Sequence, residues 1–293
     1  MDQRSRHLLL LHITVLLFGF TGILGRLITL ESQDLVWYRM LIASVGIFIF
    51  LLFAGKLHWP SRNNLLLLLL TGGIISAHWI TFFEAIKVST ISITLACLSS
   101  ASMFTALIEP LFFKRRIRPY EIGVGLIVIM AIGLIFSFET QYHWGILLAL
   151  ISAFLAALFT VMNGKLIAKM DPSSISFYEL SFGWLVITIW FLLSQKFDAA
   201  FFQVQLPDVL WLLVLGLICT SFAFVMSVLV MRSLSPFTVT LVVNLEPVYA
   251  IVLAFIIFGE SERMHPGSYF GAALLIGALF LNRYLAKRKS HVQ

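Results

Sequence analysis

Five ionisable side chains interrupt long apolar stretches of this 293-residue sequence: Arg39, Glu84, Glu109, Glu179 and Glu246. A charged group at the centre of a membrane helix costs roughly 2.5–3.5 kcal/mol on insertion scales. Such groups are therefore rare there, and they mark solute pathways, proton relays or paired helix contacts. The chemistry to expect from these residues is the reversible binding of polar solutes and ions.

Glu246 lies near the middle of its apolar stretch, at a depth from which a short side chain does not reach the membrane surface. Pro247 follows it, and a proline in a membrane helix opens the hydrogen-bond ladder and frees backbone carbonyls. We expect a substrate site at this depth; the alternative is a protonated Glu246 that only cross-links helices. The residues assigned to the site are Glu246, its neighbours Asn244 and Tyr249, and the serines Ser99, Ser100 and Ser102 of another apolar stretch. The repeat described below aligns Ser100 with Glu246.

A polar strip at three-residue spacing, His78, Thr81 and Glu84, follows one face of another apolar stretch, with Trp79 beside it. Residues three apart share a helix face, so the strip is expected to face the protein interior and not lipid. We therefore add His78 and Trp79 to the predicted substrate site. His78 either carries a coupling proton or serves as a structural hydrogen-bond donor.

Arg39 and Glu84 are expected at the same depth near the outer membrane surface, where they would form an ion pair. Glu179 stands at the position equivalent to Arg39 in the repeat and is expected near the inner surface, where Lys165 or Arg232 would pair with it. Such pairs either act as alternating gates or fix the packing of the helices.

Composition identifies the elements that must hold these side chains. The sequence is 60% hydrophobic and 12% charged, against about 45–50% and about 25% in soluble domains, which predicts an all-α integral membrane protein. Cys97 and Cys219 lie in apolar runs and predict neither a disulfide framework nor a metal site. We predict no cofactor and no metal.

Ten apolar stretches are long enough to span a bilayer, since a span needs about 20 residues. The first is expected to be retained, because no small-residue cleavage pattern follows it. The predicted spans are 8–28, 35–54, 65–86, 91–113, 120–138, 145–164, 175–193, 208–231, 237–258 and 267–285.

The charges predict the orientation of these spans. With a cytoplasmic N-terminus, fifteen of the 20 Lys and Arg residues fall on the cytoplasmic side, four on the other side, and Arg39 inside a span. This asymmetry follows the positive-inside rule and predicts that both termini are cytoplasmic. It also explains the net charge of +6 without nucleic-acid binding. The four residues on the far side are Arg26, Lys87, Lys196 and Arg263.

The two halves of the sequence resemble each other, which predicts a first repeat over 1–138 and a second over 139–293. Three segments match in the same order: 20–28 with 159–167, 88–95 with 234–241, and Gly123 with Gly271. Thr21 and Asn163 lie in the first matching pair and are added to the predicted substrate site. Because each repeat holds five spans, the second enters the membrane inverted, a construction found in many secondary transporters around a midplane site.

Several residues resemble those of EamA-type transporters of the drug/metabolite transporter superfamily. They are Arg39 within Val36-Trp37-Tyr38-Arg39, the run Phe258-Gly259-Glu260, and the following Pro266 and Gly271. The resemblance implies ten helices around a central cavity and the export of amino acids or other small metabolites. One departure is Lys114-Arg115-Arg116, where the family often has Gly-Glu-Arg.

We therefore expect a secondary transporter of the bacterial inner membrane that exports amino acids or similar small organic metabolites by alternating access. The expected partners are a small-molecule substrate, the lipid bilayer and a coupling proton carried by Glu246 or His78. Facilitated diffusion, facilitative uptake and nucleotide-sugar-type exchange stay open as alternatives. An intramembrane enzyme acting on lipids is disfavoured, because the sequence has no H-E-x-x-H, Asp-rich or G-x-S-x-G motif. A receptor or a structural scaffold is also disfavoured, because neither function explains an acidic residue, Glu246, at the midplane of the membrane.

Overall fold

The computed structural model describes residues 3–57, 59–114, 119–243 and 245–290, which contain helices, turns and no strand. A short 3-10 turn precedes α7 and another, Gly259–Glu262, follows α12; a π-helical segment, Val214–Phe222, joins α9 to α10. The helices are α1 (Gln3–Leu27), α2 (Ser32–Phe53), α3 (Arg62–Val88), α4 (Ile91–Leu98), α5 (Ala101–Phe113), α6 (Pro119–Phe138), α7 (His143–Leu166), α8 (Pro172–Leu193), α9 (Leu206–Leu213), α10 (Ala223–Val230), α11 (Pro236–Val243), α12 (Glu246–Phe258) and α13 (Pro266–Ser290).

Seven helical segments within the described residues are long and apolar enough to cross a membrane. They correspond to α1, α2, α3, the α4–α5 pair, α7, α8 and the continuous run from α9 to α10. The other three predicted spans coincide with α6, the α11–α12 pair and α13, so ten spans are compatible with the helices. Large apolar side chains such as Phe53, Leu193 and Ile256 point out of the bundle. Lipid is the natural surrounding of so apolar an exterior.

α3 lies at the centre of the bundle, where it packs against α7 and α8, and α2 packs against α8 and the π-helical segment. α1 contacts both α10 and α12, and α6 packs along α13. The largest buried apolar cluster joins side chains from both halves of the chain, including Leu24, Met40, Phe83, Leu180 and Val228. One shared core therefore holds the two halves together.

Two spans are broken near their middle, one in each half of the chain. α4 ends at Leu98 and α5 begins at Ala101, with Ser99 and Ser100 between them. The second break separates α11 from α12, which begins at Glu246. Ser100 and Glu246 therefore both stand at a helix break, in agreement with the predicted alignment. Interrupted helices bring backbone ends and polar side chains to the middle of a membrane protein.

Polar contacts define two ends of the bundle. At one, which we call the Glu262 end, Arg26 pairs with Glu262, Thr29 donates to Asp208, and Lys196 pairs with Glu31 at 2.5 Å. At the other, the Ser233 end, His7 hydrogen-bonds Ser233 and Arg232 pairs with Asp171 at 3.3 Å. Each contact joins helix ends that the predicted spans place on the same side.

Candidate functional site

A cavity lies in the middle of the bundle, where both broken helices meet α1, α2, α3, α7 and α10. Its volume is about 110 Å³, which accommodates several water molecules or a small organic solute. Its wall is mainly apolar with a few polar groups, as in most small-molecule sites. The polar and charged lining residues are Thr21, Arg39, His78, Ser99, Thr160, Asn163, Ser227, Thr240 and Glu246. The aromatic lining residues are Phe18, Trp79, Phe82, Phe159 and Phe224.

Arg39 provides the positive charge of the cavity and is only 2% exposed. Its Nε donates a hydrogen bond to Thr220 Oγ1 at 2.7 Å, and the guanidinium lies 3.8 Å from the centre of the Trp79 ring. Nη1 is buried and has no hydrogen-bond partner among the described residues. A buried, unpaired guanidinium nitrogen is costly, so it is a strong donor for a ligand anion.

The π-helical segment positions the partner of Arg39. Thr220 Oγ1 donates to the carbonyl of Leu215, five residues earlier, at 2.6 Å. Ser221 Oγ in turn lies 3.1 Å from the Ala43 carbonyl and fastens the segment to α2. π-Helical segments inside longer helices often occur at functional sites. Here the segment directs a hydroxyl toward the cavity-lining Arg39.

Glu246 provides the acidic group of the cavity and is 5% exposed. It opens α12, whose second residue is Pro247, a favourable residue for the first turn of a helix. An acidic side chain at a helix N-terminus also interacts favourably with the helix dipole. Glu246 and Arg39 interact electrostatically but form no ion pair, and Glu246 has no hydrogen bond within the described ranges. The two opposite charges therefore face one cavity without touching.

Ser152 of α7 holds His78 in the cavity wall. His78 Nδ1 lies 2.9 Å from the Ser152 carbonyl oxygen and 2.8 Å from its hydroxyl oxygen. The hydroxyl also donates to the His78 carbonyl at 3.1 Å, and the imidazole packs beside Phe159. These contacts fix the ring, which favours the interpretation of His78 as a structural donor.

Seven residues singled out in the sequence meet at this cavity: Thr21, Arg39, His78, Trp79, Ser99, Asn163 and Glu246. Asn244 lies outside the described residues. Ser100 and Ser102 do not line the cavity, because their hydroxyls donate to the carbonyls of Cys97 and Ser99 within their own chain segment. Tyr249 is 41% exposed on the outside of α12, since the rotation of that helix turns Ala250 and Ala254 inward instead.

The two predicted ion pairs are wrong. Arg39 does not pair with Glu84, because Arg39 points into the cavity while Glu84 lies near Lys87 of its own helix. Glu179 meets neither Lys165 nor Arg232, since Lys165 lies over the Phe112 ring and Arg232 pairs with Asp171. Glu179 instead is fully buried beside Asn163.

The polar contacts at the Glu262 end involve carboxylates that the sequence did not single out. Glu262 is buried and accepts hydrogen bonds from the backbone nitrogens of Ile91 at 3.3 Å and Ser92 at 3.0 Å. Asp208 accepts from the Thr29 hydroxyl at 2.6 Å. The hydrogen bond to Glu31 raises the pKa of Lys196. All of these charged residues lie in loops or at helix ends. For such positions the sequence pattern predicts only that the side chain is exposed to solvent.

Comparisons with known proteins identify the family and the fold of this chain. The sequence matches the EamA-like transporter family over residues 5–137 and again over 143–284. It is 25% identical to an uncharacterized transporter of Archaeoglobus fulgidus, covering 95% of this chain and 98% of the relative. It is 24% identical to the uncharacterized transporter YxxF of Bacillus subtilis, covering 99% and 93%. A crystal structure of a protein 17% identical superposes with a TM-score of 0.71, covering 98% of this chain and 100% of that one.

Proposed function

Because the chain belongs to the EamA-like transporter family, we propose that it exports amino acids or similar zwitterionic metabolites across the inner membrane by alternating access. One observation carries this proposal: a basic side chain, Arg39, and an acidic one, Glu246, face the same cavity without forming an ion pair. A zwitterion presents a carboxylate to the Arg39 Nη1 and an ammonium to Glu246. Binding would thus satisfy both buried groups at once, whereas a singly charged solute would leave one of them unpaired.

The remainder of the cargo would lie among aromatic side chains. Trp79, Phe159 and Phe224 line the cavity together with Phe82. Such a wall stabilises apolar groups by burial, at about 25 cal/mol per Å² of apolar area. The cavity therefore favours amino acids or related zwitterions with an apolar side chain.

Nucleotide-sugar-type exchange fits this cavity less well. A diphosphate needs several donors of positive charge, usually Arg and Lys side chains or helix N-termini. Among the described lining residues Arg39 is the single permanent cation, and an acid faces it.

Alternating access is supported by the position of the cavity, which reaches further toward the Ser233 end than toward the Glu262 end. It runs from Arg39 and His78 at mid-depth to Met231 and Val239 near the Ser233 end. The Glu262 end is closed by the Arg26–Glu262 and Lys196–Glu31 pairs. With both termini in the cytoplasm, the Ser233 end is the cytoplasmic one. The cavity then extends toward the side from which an exporter loads its cargo, and loading requires the His7–Ser233 and Arg232–Asp171 contacts to separate.

The proposed motion is a rearrangement between the two repeats, 1–138 and the inverted 139–293. To open the Glu262 end, Glu262 of the second repeat would have to leave Ile91 and Ser92 of the first. Because the span is interrupted between α4 and α5, α4 can move while α5 stays in place.

The test combines metabolite profiling of cells with and without the protein with counterflow assays in proteoliposomes. We expect zwitterionic metabolites to accumulate outside cells that produce it. In counterflow, R39K and E246Q should exchange labelled L-phenylalanine at least about tenfold more slowly, the effect of losing a charge-assisted contact. E260Q is the matched control, because Glu260 is exposed and pairs with Arg263 far from the cavity. Unchanged exchange by both cavity variants, at normal membrane levels, would exclude this site.

An imposed pH gradient decides between proton antiport and facilitated diffusion. If the gradient drives accumulation of L-phenylalanine, transport is proton-coupled. If the rate and the final level stay the same, it is facilitated diffusion.

A further inference from the structure

Glu179 of α8 is the most isolated ionisable group of the described structure. It is 0% exposed, and neither carboxyl oxygen has a hydrogen bond of good geometry. The Asn163 side chain lies beside it, is equally buried, and leaves both its amide nitrogen and its amide oxygen unpartnered. Buried polar groups are nearly always satisfied, so an unpaired set of this kind requires an explanation.

No charged side chain compensates Glu179 among the described residues. On α3, His78 is held by Ser152 and Glu84 lies near Lys87; on α2, Arg39 faces Thr220 and Asp34 faces Lys196. On α7, Lys165 lies over Phe112, and His143 stacks on Phe136. The described α10 carries no charge, and Tyr178 is the other titratable group of α8. An ionised carboxyl here would have no counter-charge from the protein.

The backbone of Glu179 is held tightly. A Cβ added at Gly72 of α3 would lie 2.4 Å from the Glu179 carbonyl oxygen and 2.9 Å from the Gly183 nitrogen. The close α3–α8 crossing thus depends on glycine. The Glu179 carboxyl at this crossing lies beside Asn163. Asn163 also lines the cavity.

We propose that Glu179 is the site that binds the coupling proton, and that Asn163 transmits its protonation to the cavity. This rests on the proposed transport function. In the step, a carboxylate oxygen of Glu179 takes up one proton from a hydronium ion, which leaves a water molecule and a carboxylic acid; the reverse step returns the proton to water as hydronium. A metal cation is disfavoured, because the two side chains offer at most three oxygens, fewer than hard cations commonly require.

The Asn163 amide supplies the coupling, because its two ends have opposite hydrogen-bonding roles. Ionised Glu179 accepts from the amide nitrogen, which leaves the amide oxygen to the cavity. Protonated Glu179 donates to the amide oxygen, which leaves the nitrogen to the cavity. An ammonium-bearing cargo meets a free amide oxygen in the first state and amide N–H donors in the second, so it binds Asn163 better in the first state. Cargo and proton therefore compete, which is the condition for antiport, and the competition must be reciprocal.

The first test needs no cargo. Infrared difference spectroscopy on the purified, membrane-reconstituted protein follows the carbonyl band of protonated carboxyl groups as the pH changes. We expect E179Q to lose one titrating band, N163L to shift that band by removing its hydrogen-bond partner, and E260Q to retain it. A full set of titrating bands in E179Q would overturn the proposal.

The second test measures coupling. We expect added L-phenylalanine to release protons from the wild-type protein and from E260Q, and not from E179Q. Equal proton release by both proteins would overturn the assignment to Glu179. If the wild-type protein moves no L-phenylalanine, the proposed cargo is wrong, and the infrared result alone then decides whether Glu179 binds a proton.

Discussion

The Glu262 carboxylate accepts hydrogen bonds from both the backbone nitrogen and the hydroxyl of Ser92, each at 3.0 Å. A residue after the last broken helix thereby caps the first turn of α4, the half-helix that leads to the cavity. Carboxylates at helix N-termini satisfy free backbone donors and complement the helix dipole. Arg26 of α1 completes the contact. One buried side chain thus joins three elements at the Glu262 end of the bundle.

We predict that E262Q opens this end. The neutral amide loses the charge-assisted part of three contacts and the ion pair with Arg26, at a cost of about 2–4 kcal/mol. The measurement is labelling of a cysteine introduced at Ala101 with a reagent added from the periplasmic side. Labelling should rise in E262Q and stay low in E260Q, whose exposed pair contributes about 0–1 kcal/mol. Equal labelling of E262Q and E260Q would show that Glu262 does not hold the closure.

We predict that T220V weakens transport through Arg39. Valine has the shape of threonine but cannot accept the hydrogen bond from the Arg39 Nε. A buried donor that loses its acceptor costs about 1–3 kcal/mol. Exchange of L-phenylalanine in proteoliposomes should fall about 5–100-fold. T81V is the matched control, because the Thr81 hydroxyl bonds only carbonyls of its own helix. A normal rate for T220V would mean that Arg39 is positioned by Trp79 alone.

We predict that K114G stabilises the protein. Lys114 ends α5 with φ of 52° and ψ of 37°, a left-handed conformation that costs a non-glycine residue about 1–2 kcal/mol. Gly259, with φ of 61°, occupies the corresponding place after α12. Thermal unfolding in detergent should show a gain of about 1 kcal/mol for K114G. K114A also removes the charge but keeps the Cβ, so an equal gain for K114A would assign the effect to charge.

We predict opposite effects for two adjacent glycines of α3. G72A places a methyl group against the backbone of Glu179 and should cost about 1–3 kcal/mol through overpacking. At Gly73 an added Cβ has no heavy atom within 4 Å, so G73A should gain up to about 1 kcal/mol of helix propensity. Thermal unfolding of both variants measures the difference. If G72A is as stable as G73A, the α3–α8 crossing is looser than the structure indicates.

Membrane class and helix positions could be predicted from the sequence, because both depend on local properties. Runs of apolar residues predicted a span at 35–54, and the structure has Ser32–Phe53. The repeat alignment placed Ser100 opposite Glu246, and both stand at helix breaks. Proline, serine and glycine determine such breaks through their own backbone preferences.

The partners of the charged residues could not be predicted in the same way. Arg39 was expected to meet Glu84 and instead meets Thr220 and Trp79, while Tyr249 was expected inside and lies outside. In soluble helices the polar face marks the outside. Helices that are apolar all round carry no such signal.

The sequence by itself therefore determined that this chain is a helical membrane protein built of two repeats, with a few charges buried at mid-depth. Only the tertiary structure decided that Arg39 and Glu246 share a cavity, that Glu179 stands alone with Asn163, and that Glu262 joins Arg26 to the start of α4. The physical reason is that hydrophobicity fixes where a helix lies along the membrane normal. Its rotation about its own axis, which selects the neighbour of every charge, is fixed by packing against the other helices.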